Sequence, residues 1–195
     1  KSRALMFIAL DKLRKQGLKK VIVAVPEKTI GASFKNTNLK DFGFEYNWEI
    51  NPRYNLTTGG TEKSKVDTFI EFLKSNEDIL ICTHATLRFA YDKLSNDDEF
   101  DNCLLAIDEF HHVSADGTSI LGEILKNIIR NTKAHIVAMT GSYFRGDTVA
   151  ILEPIDEEKF DKVTYTYYEQ LDGYEYLKSF GIGFNFYQGK YLSAL

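Results

Sequence analysis

The chain has 195 residues and only two cysteines, and no apolar run approaches the roughly 20 residues a membrane span requires. It has no internal repeat and no low-complexity segment. Cys82 and Cys103 sit in apolar, strand-like runs, "DILICTHA" and "DNCLLAID", without metal-ligand spacing. They read as buried, reduced thiols of a cytoplasmic protein rather than a disulfide framework or a zinc site. The chain also lacks a basic excess: its net charge is −4. That argues against tight nucleic-acid binding driven by overall charge and leaves a local groove open. The opening "KSRALMFIALDKLRKQG" has the basic start and apolar stretch of a secretory leader. Asp11 interrupts that stretch and no small-residue cleavage site follows, so it reads as an amphipathic helix.

What is present is an alternation of short apolar runs and helical periods. Residues 2 to 16 place Ala4, Leu5, Ile8, Ala9 and Leu13 at helical spacing, with Gly17 as the stop. "KKVIVAVP", "DILICT", "CLLAID" and "AHIVAMTGS" are continuous apolar runs, as expected of strands covered on both faces of a parallel sheet. Helices are expected in "EKTIGASFKN", "KVDTFIEFLKSN", "HATLRFAYDKL" and "GTSILGEILKNIIRN". The last carries Ile120, Leu121, Ile124, Leu125 and Ile128 as its apolar face. "FEYNWEI" (44 to 50) predicts a strand by aromatic alternation, and "NPRYNLTTGGTEKSK" and "SNDDEFDN" predict loops. The order is that of an α/β domain with a mainly parallel sheet between helical layers. After residue 150, "EPIDEEKFDK" reads as an acidic loop and "VTYTYYEQL" as a last strand. A domain core over 1–150 and a lead-out segment over 151–195 are therefore expected.

In open parallel sheets ligands bind outside the carboxyl ends of the strands. Those ends carry Pro26-Glu27-Lys28-Thr29, Thr83-His84-Ala85-Thr86, Asp108-Glu109 and Thr140-Gly141-Ser142. An Asp at such an end can hold the water shell of Mg²⁺, and an adjacent Glu can orient an attacking water. An acidic cap or a solvated turn would have the same sequence. Lys1-Ser2 directly precedes a helix, where a phosphate loop of the form GxxxxGK[ST] would place its last two residues. His111 and His112 follow the acids without metal-binding spacing.

Taken in order, these blocks resemble the first RecA-like domain of a superfamily 2 helicase or translocase, a P-loop NTPase fold of three layers. "KS" resembles the end of the Walker A motif, "VAVPEKTIGASF" motif Ia, and "TTGG" and "ICTHATL" the next two blocks on the nucleic-acid side. "AIDEFHH" resembles the DEAD/DEAH box, and "AMTGSYFRGD" motif III, closest to the "TGTPFR" form of restriction-enzyme helicase subunits. The resemblance covers residues 1 to 148. It implies ATP and Mg²⁺ as cofactors, with Lys1 on the β- and γ-phosphates and Ser2 and Asp108 toward Mg²⁺. Glu109 would orient the hydrolytic water, and His111, Thr140 and Ser142 would couple the nucleotide site to the nucleic-acid side. Pro26, Lys28, Gly59, Gly60, Thr83 and His84 would line the nucleic-acid backbone. The partners implied are nucleic acid, DNA before RNA, and a second RecA-like domain of the same parent chain.

The sequence departs from the pattern in places. Phe110 stands where Ala is commonest, and Tyr143 where the related motif has Pro. The chain begins at Lys1, after the glycines that would cradle phosphate, and the arginine finger belongs to a second domain. The expectation is an N-terminal motor-domain fragment of an ATP-dependent DNA helicase or translocase that, alone, binds ATP weakly and does not hydrolyse it. The alternative is an α/β interaction module that has lost the chemistry.

Overall fold

A computed structural model describes residues 1–113, 119–141, 152–165 and 169. Ser142, Tyr143, Arg145 and the tyrosines beyond Tyr165 lie outside the described residues. Lys1–Lys159 form one compact unit and Phe160–Leu195 a second.

The first unit is built on four parallel strands: β1 (Lys20–Val25), β2 (Ile79–Thr83), β3 (Cys103–Ile107) and β4 (His135–Ala138). Their spatial order is β2-β1-β3-β4. Alternate strand residues point to opposite faces. Ile22, Ala24, Leu80, Cys82, Leu105 and Ile107 join one core with α3 (Glu62–Lys74), α4 (His84–Tyr91) and α5 (Ile120–Asn131). Val21, Val23, Val25, Ile79, Ile81, Leu104 and Ala106 join the other, against α1 (Ser2–Lys15) and the segment carrying Phe34, Leu39 and Trp48. This is the expected three-layer α/β architecture of a RecA-like domain. Both faces of β1, β2 and β3 are covered, which is why those runs are apolar throughout.

Several expectations are corrected. The segment 44–50 is not a strand: Trp48 forms a single antiparallel bridge with Thr37 and donates its indole N–H to the Phe34 carbonyl at 2.9 Å. Its aromatics anchor an irregular layer under the sheet instead of pairing in a ladder. The buried stripe of α1 is Leu5, Met6, Ala9 and Leu10, one step round from the expected face, so Ile8 is exposed. Ile120, at the first position of α5, is likewise exposed. The "EKTIGASFKN" helix is one α-turn, α2 (Lys28–Gly31), followed by a 3₁₀ turn. β4 is half-buried rather than buried.

The acidic segment after residue 150 contains a further turn of helix, α6 (Pro154–Glu157). Asp156 in it is 1% exposed and takes a two-bonded contact from Arg130, Nε to Oδ1 at 2.9 Å and Nη2 to Oδ2 at 2.6 Å. In the second unit, residues 161–165 form no strand, and the exposed Tyr165 hydroxyl donates to the Glu169 carbonyl at 3.3 Å.

Candidate nucleotide site and nucleic-acid face

All four strands end at one edge, and the chain there turns into side chains with chemistry. β3 delivers Asp108, which is 6% exposed and anchored by its N–H to the Ala24 carbonyl of β1 at 2.9 Å. The next residue, Glu109, is left-handed, with φ 51° and ψ 54°. A non-glycine residue held there is strained by about 1–2 kcal/mol. The turn is secured by the Glu109 N–H donating to Asp108 Oδ1 at 3.0 Å and by the Phe110 N–H donating to the Met139 carbonyl at 2.8 Å. Phe110, the departure in the box, is 5% exposed and belongs to the core, so a large apolar residue has a place to go.

The Glu109 carboxylate faces Lys1, His111 and the Gly141 N–H. Lys1 Nζ donates to Oε1 at 2.7 Å, and His111 Nδ1 lies 3.3 Å from Oε2. The same His111 nitrogen is 2.9 Å from Thr140 Oγ1. The Lys1 hydrogen bond holds the Glu109 carboxyl below its ordinary value, helped by the charge of Lys1 and by the Gly141 N–H. Asp108 shifts the other way: burial raises its carboxyl above the ordinary value. A Cβ at Gly141 would come within 3.1 Å of Lys1 Nζ, so the turn after β4 lies directly against the lysine.

Lys1, Asp108, Glu109, His111, Thr140 and Gly141 are thus brought together from three separate parts of the chain. Ser2 opens α1 beside Lys1. Among the described residues no group of three or more His, Cys, Asp or Glu could cage a metal ion. Mg²⁺ does not need such a cage, because it is usually held by one or two carboxylates, water and phosphates. A desolvated Asp108 carboxylate fits that role.

The second cluster lies at the ends of β1 and β2. Pro26, Glu27, Lys28, Thr29, Glu62, Thr83 and Ala85 line an open cleft of about 370 Å³. It contains Pro26, Lys28 and Thr83 of the expected nucleic-acid contacts. Gly59 and Gly60 are exposed in the turn before α3, and Gly60 has φ +103°. That turn is pinned by the Leu56 N–H donating to the Ile81 carbonyl of β2 at 2.8 Å. It is also held close to α2, where a Cβ at Gly31 would collide with the Thr57 side chain. His84 reaches the other way, with Nε2 3.0 Å from the Asp108 carbonyl, and so connects the two clusters.

Two residues here were not singled out from sequence: Glu62 and Lys65. Lys65 stands in the apolar row of α3 with Phe69 and Phe72, and a lysine in such a row is the signal that could have found it. The cysteines are free and buried, and burial pushes the Cys103 thiol up to about 12 and Cys82 higher still.

The chain is 70% identical, over its whole length, to a Bacillus subtilis (strain 168) protein named "Putative ATP-dependent helicase YeeB". It spans 32% of that relative's length. No solved structure matches it. Residues 1–145 match the family model described as type III restriction enzyme, res subunit, and the chain belongs to that helicase-like family.

Proposed function

We propose that this chain is the N-terminal motor domain of an ATP-dependent helicase or translocase acting on DNA in the cytoplasm. In the full-length protein, ATP would lie between this domain and a second RecA-like domain. The observation that carries the reading is the contact set Lys1–Glu109–His111–Thr140 beside a desolvated Asp108. A carboxylate held by a lysine and a histidine at the end of a parallel sheet suits hydrolysis of a phosphoanhydride.

Lys1 would move its ammonium from Glu109 to the β- and γ-phosphates of ATP, with Ser2 and Asp108 toward Mg²⁺. Mg²⁺, when bound, supplies positive charge that offsets the phosphates. Freed from Lys1, the Glu109 carboxylate would become more basic, orient a water molecule in line with the γ-phosphorus and take its proton. His111 and Thr140, with Ser142, would report the state of that site to the turn after β4. The His84–Asp108 contact offers a second route, to the cleft at Lys28 and Thr83. In the cleft, Pro26, Lys28, Gly59, Gly60, Thr83 and His84 would contact the strand backbone. Cycles of domain closure and opening would then move the strand.

The test is phosphate release by the full-length protein with ATP and Mg²⁺, alone and with single-stranded DNA, duplex DNA or RNA. Turnover stimulated most by DNA is expected. Turnover indifferent to every nucleic acid would sink the reading and favour an interaction module.

A further inference from the structure

Lys65 is an expensive residue for the place it occupies. Its side chain is 3% exposed and, among the described residues, its Nζ has no hydrogen-bond partner. A buried, unsatisfied ammonium is strongly disfavoured unless something compensates for it. The closest carboxylate, Glu62 Oε1, is 3.7 Å away, beyond hydrogen-bond reach. Burial lowers the Lys65 pKa, and the nearby positive charge of Lys28 lowers it further. Lys65 therefore lies between one carboxylate that it does not hydrogen-bond and a second positive charge.

That carboxylate sits where an anion would. Glu62 is the first residue of α3, and its Oε2 accepts from Thr86 Oγ1 at 3.1 Å, in the first turn of α4. Both helices begin beside it, and the N-terminal end of a helix is its positive end. Yet its side chain is 44% exposed and lines the cleft beside Pro26, Lys28 and Thr83. The glycine turn lies against the lysine: a Cβ at Gly60 would be 3.9 Å from Lys65 Cε.

We propose that Lys65 is a buried phosphate-binding cation of the cleft and that Glu62 is its displaceable counterion, holding the place of one phosphodiester until a nucleic-acid strand enters. The assignment rests on the nucleic-acid reading of the cleft. One phosphodiester carries the single charge of Glu62. Its two free oxygens can accept from the Lys65 ammonium and the Thr86 hydroxyl, and the Glu62 side chain has open solvent into which to swing.

The test uses the full-length protein and a fluorescein-labelled single-stranded oligothymidylate, with affinity measured by anisotropy across a range of salt. Lys65→Met should weaken binding by about 10-fold and reduce the slope of log affinity against log salt by about 0.7, the share of one phosphate contact on a single strand. Lys65→Arg should restore most of the affinity. Glu62→Gln, which removes the competing charge, should tighten binding by about 3-fold. The Lys65→Met protein should unfold at the same temperature as the parent or higher, because an unpaired buried charge has gone. The assignment is overturned by an unchanged salt slope in Lys65→Met. It is equally overturned by weakened binding that tracks a lowered unfolding temperature, or by a Glu62→Gln protein that binds more weakly. If the parent protein itself binds no nucleic acid, both the cleft's reading and this one fall. If it binds and only the Lys65 and Glu62 results fail, the reading of the cleft stands.

Discussion

Lys1 Nζ and Glu109 Oε1 meet at 2.7 Å across 108 positions of sequence. The contact ties the start of α1 to the left-handed turn after β3, and it joins the two charges on which phosphate chemistry at this edge would depend. Glu109→Gln keeps the size and the left-handed turn and removes the charge. ATP turnover by the full-length protein should fall by about 100-fold or more. Binding of a fluorescent ATP analogue should persist, since phosphate contacts do not come from Glu109. A phosphate-release assay and a nucleotide titration on the same preparation separate the two.

The same pair sets a pH dependence of stability. The hydrogen bond from Lys1 depresses the folded-state pKa of Glu109, so the contribution is present above the unfolded glutamate value of about 4.3. It is lost as pH falls through the lower folded value. Lys1 is 44% exposed and Glu109 25%, so solvent screening keeps the contribution below about 1 kcal/mol. Urea unfolding of the parent and Lys1→Met proteins should differ slightly at pH 7, and the two curves should converge at acid pH.

His111 has one ring nitrogen shared between Glu109 Oε2 and Thr140 Oγ1, at 3.3 and 2.9 Å. Residues acting through one contact give non-additive effects. His111→Ala and Thr140→Val should each reduce nucleic-acid stimulation of turnover by about 10-fold, within the usual range of coupling between sites. The double variant should be no worse than either alone. Additive losses would show that the two act separately.

Arg130 holds Asp156, which is nearly inaccessible, with two hydrogen bonds, and it also reaches Glu153 at 2.8 Å. Arg130→Ala would leave a buried carboxylate facing, among the described residues, only Lys159, whose Nζ is 3.9 Å from Oδ1. The protein should lose stability, by less than the cost of breaking a fully buried pair because Arg130 is one-third open to solvent. Urea denaturation measures it, and pairing the change with Asp156→Asn should recover part of the loss.

The strands β1, β2 and β3 were legible because a strand covered on both faces must be apolar at every position, and that pattern survives without knowing its neighbours. The helices α3 and α5 were legible from their periodic apolar rows, and Ser119 and Thr61 cap them by accepting from Gly122 and Ser64. The stretch 44–50 misled because aromatic alternation describes a half-buried surface of any kind. Among the described residues Trp48 has a single bridge, to Thr37, and no partner strand, which leaves the stretch an anchored loop. Asp156 misled for a related reason: an acid in an acidic segment looks solvated until a distant arginine covers it.

From sequence alone, the order of strands and helices and the residues at strand ends follow, because both are local: burial sets composition, and a parallel sheet aligns its carboxyl ends. Asp108 and Glu109 were placed at that edge on this ground alone. Which side chains meet was decided by the tertiary structure. Lys1 reaches Glu109 and His84 reaches Asp108 because adjacent parallel strands bring remote turns within hydrogen-bond range. Lys65 is buried against a carboxylate it does not bond because two helices begin at the same place. These contacts depend on distances between segments far apart in the chain, and no local pattern of residues encodes such distances.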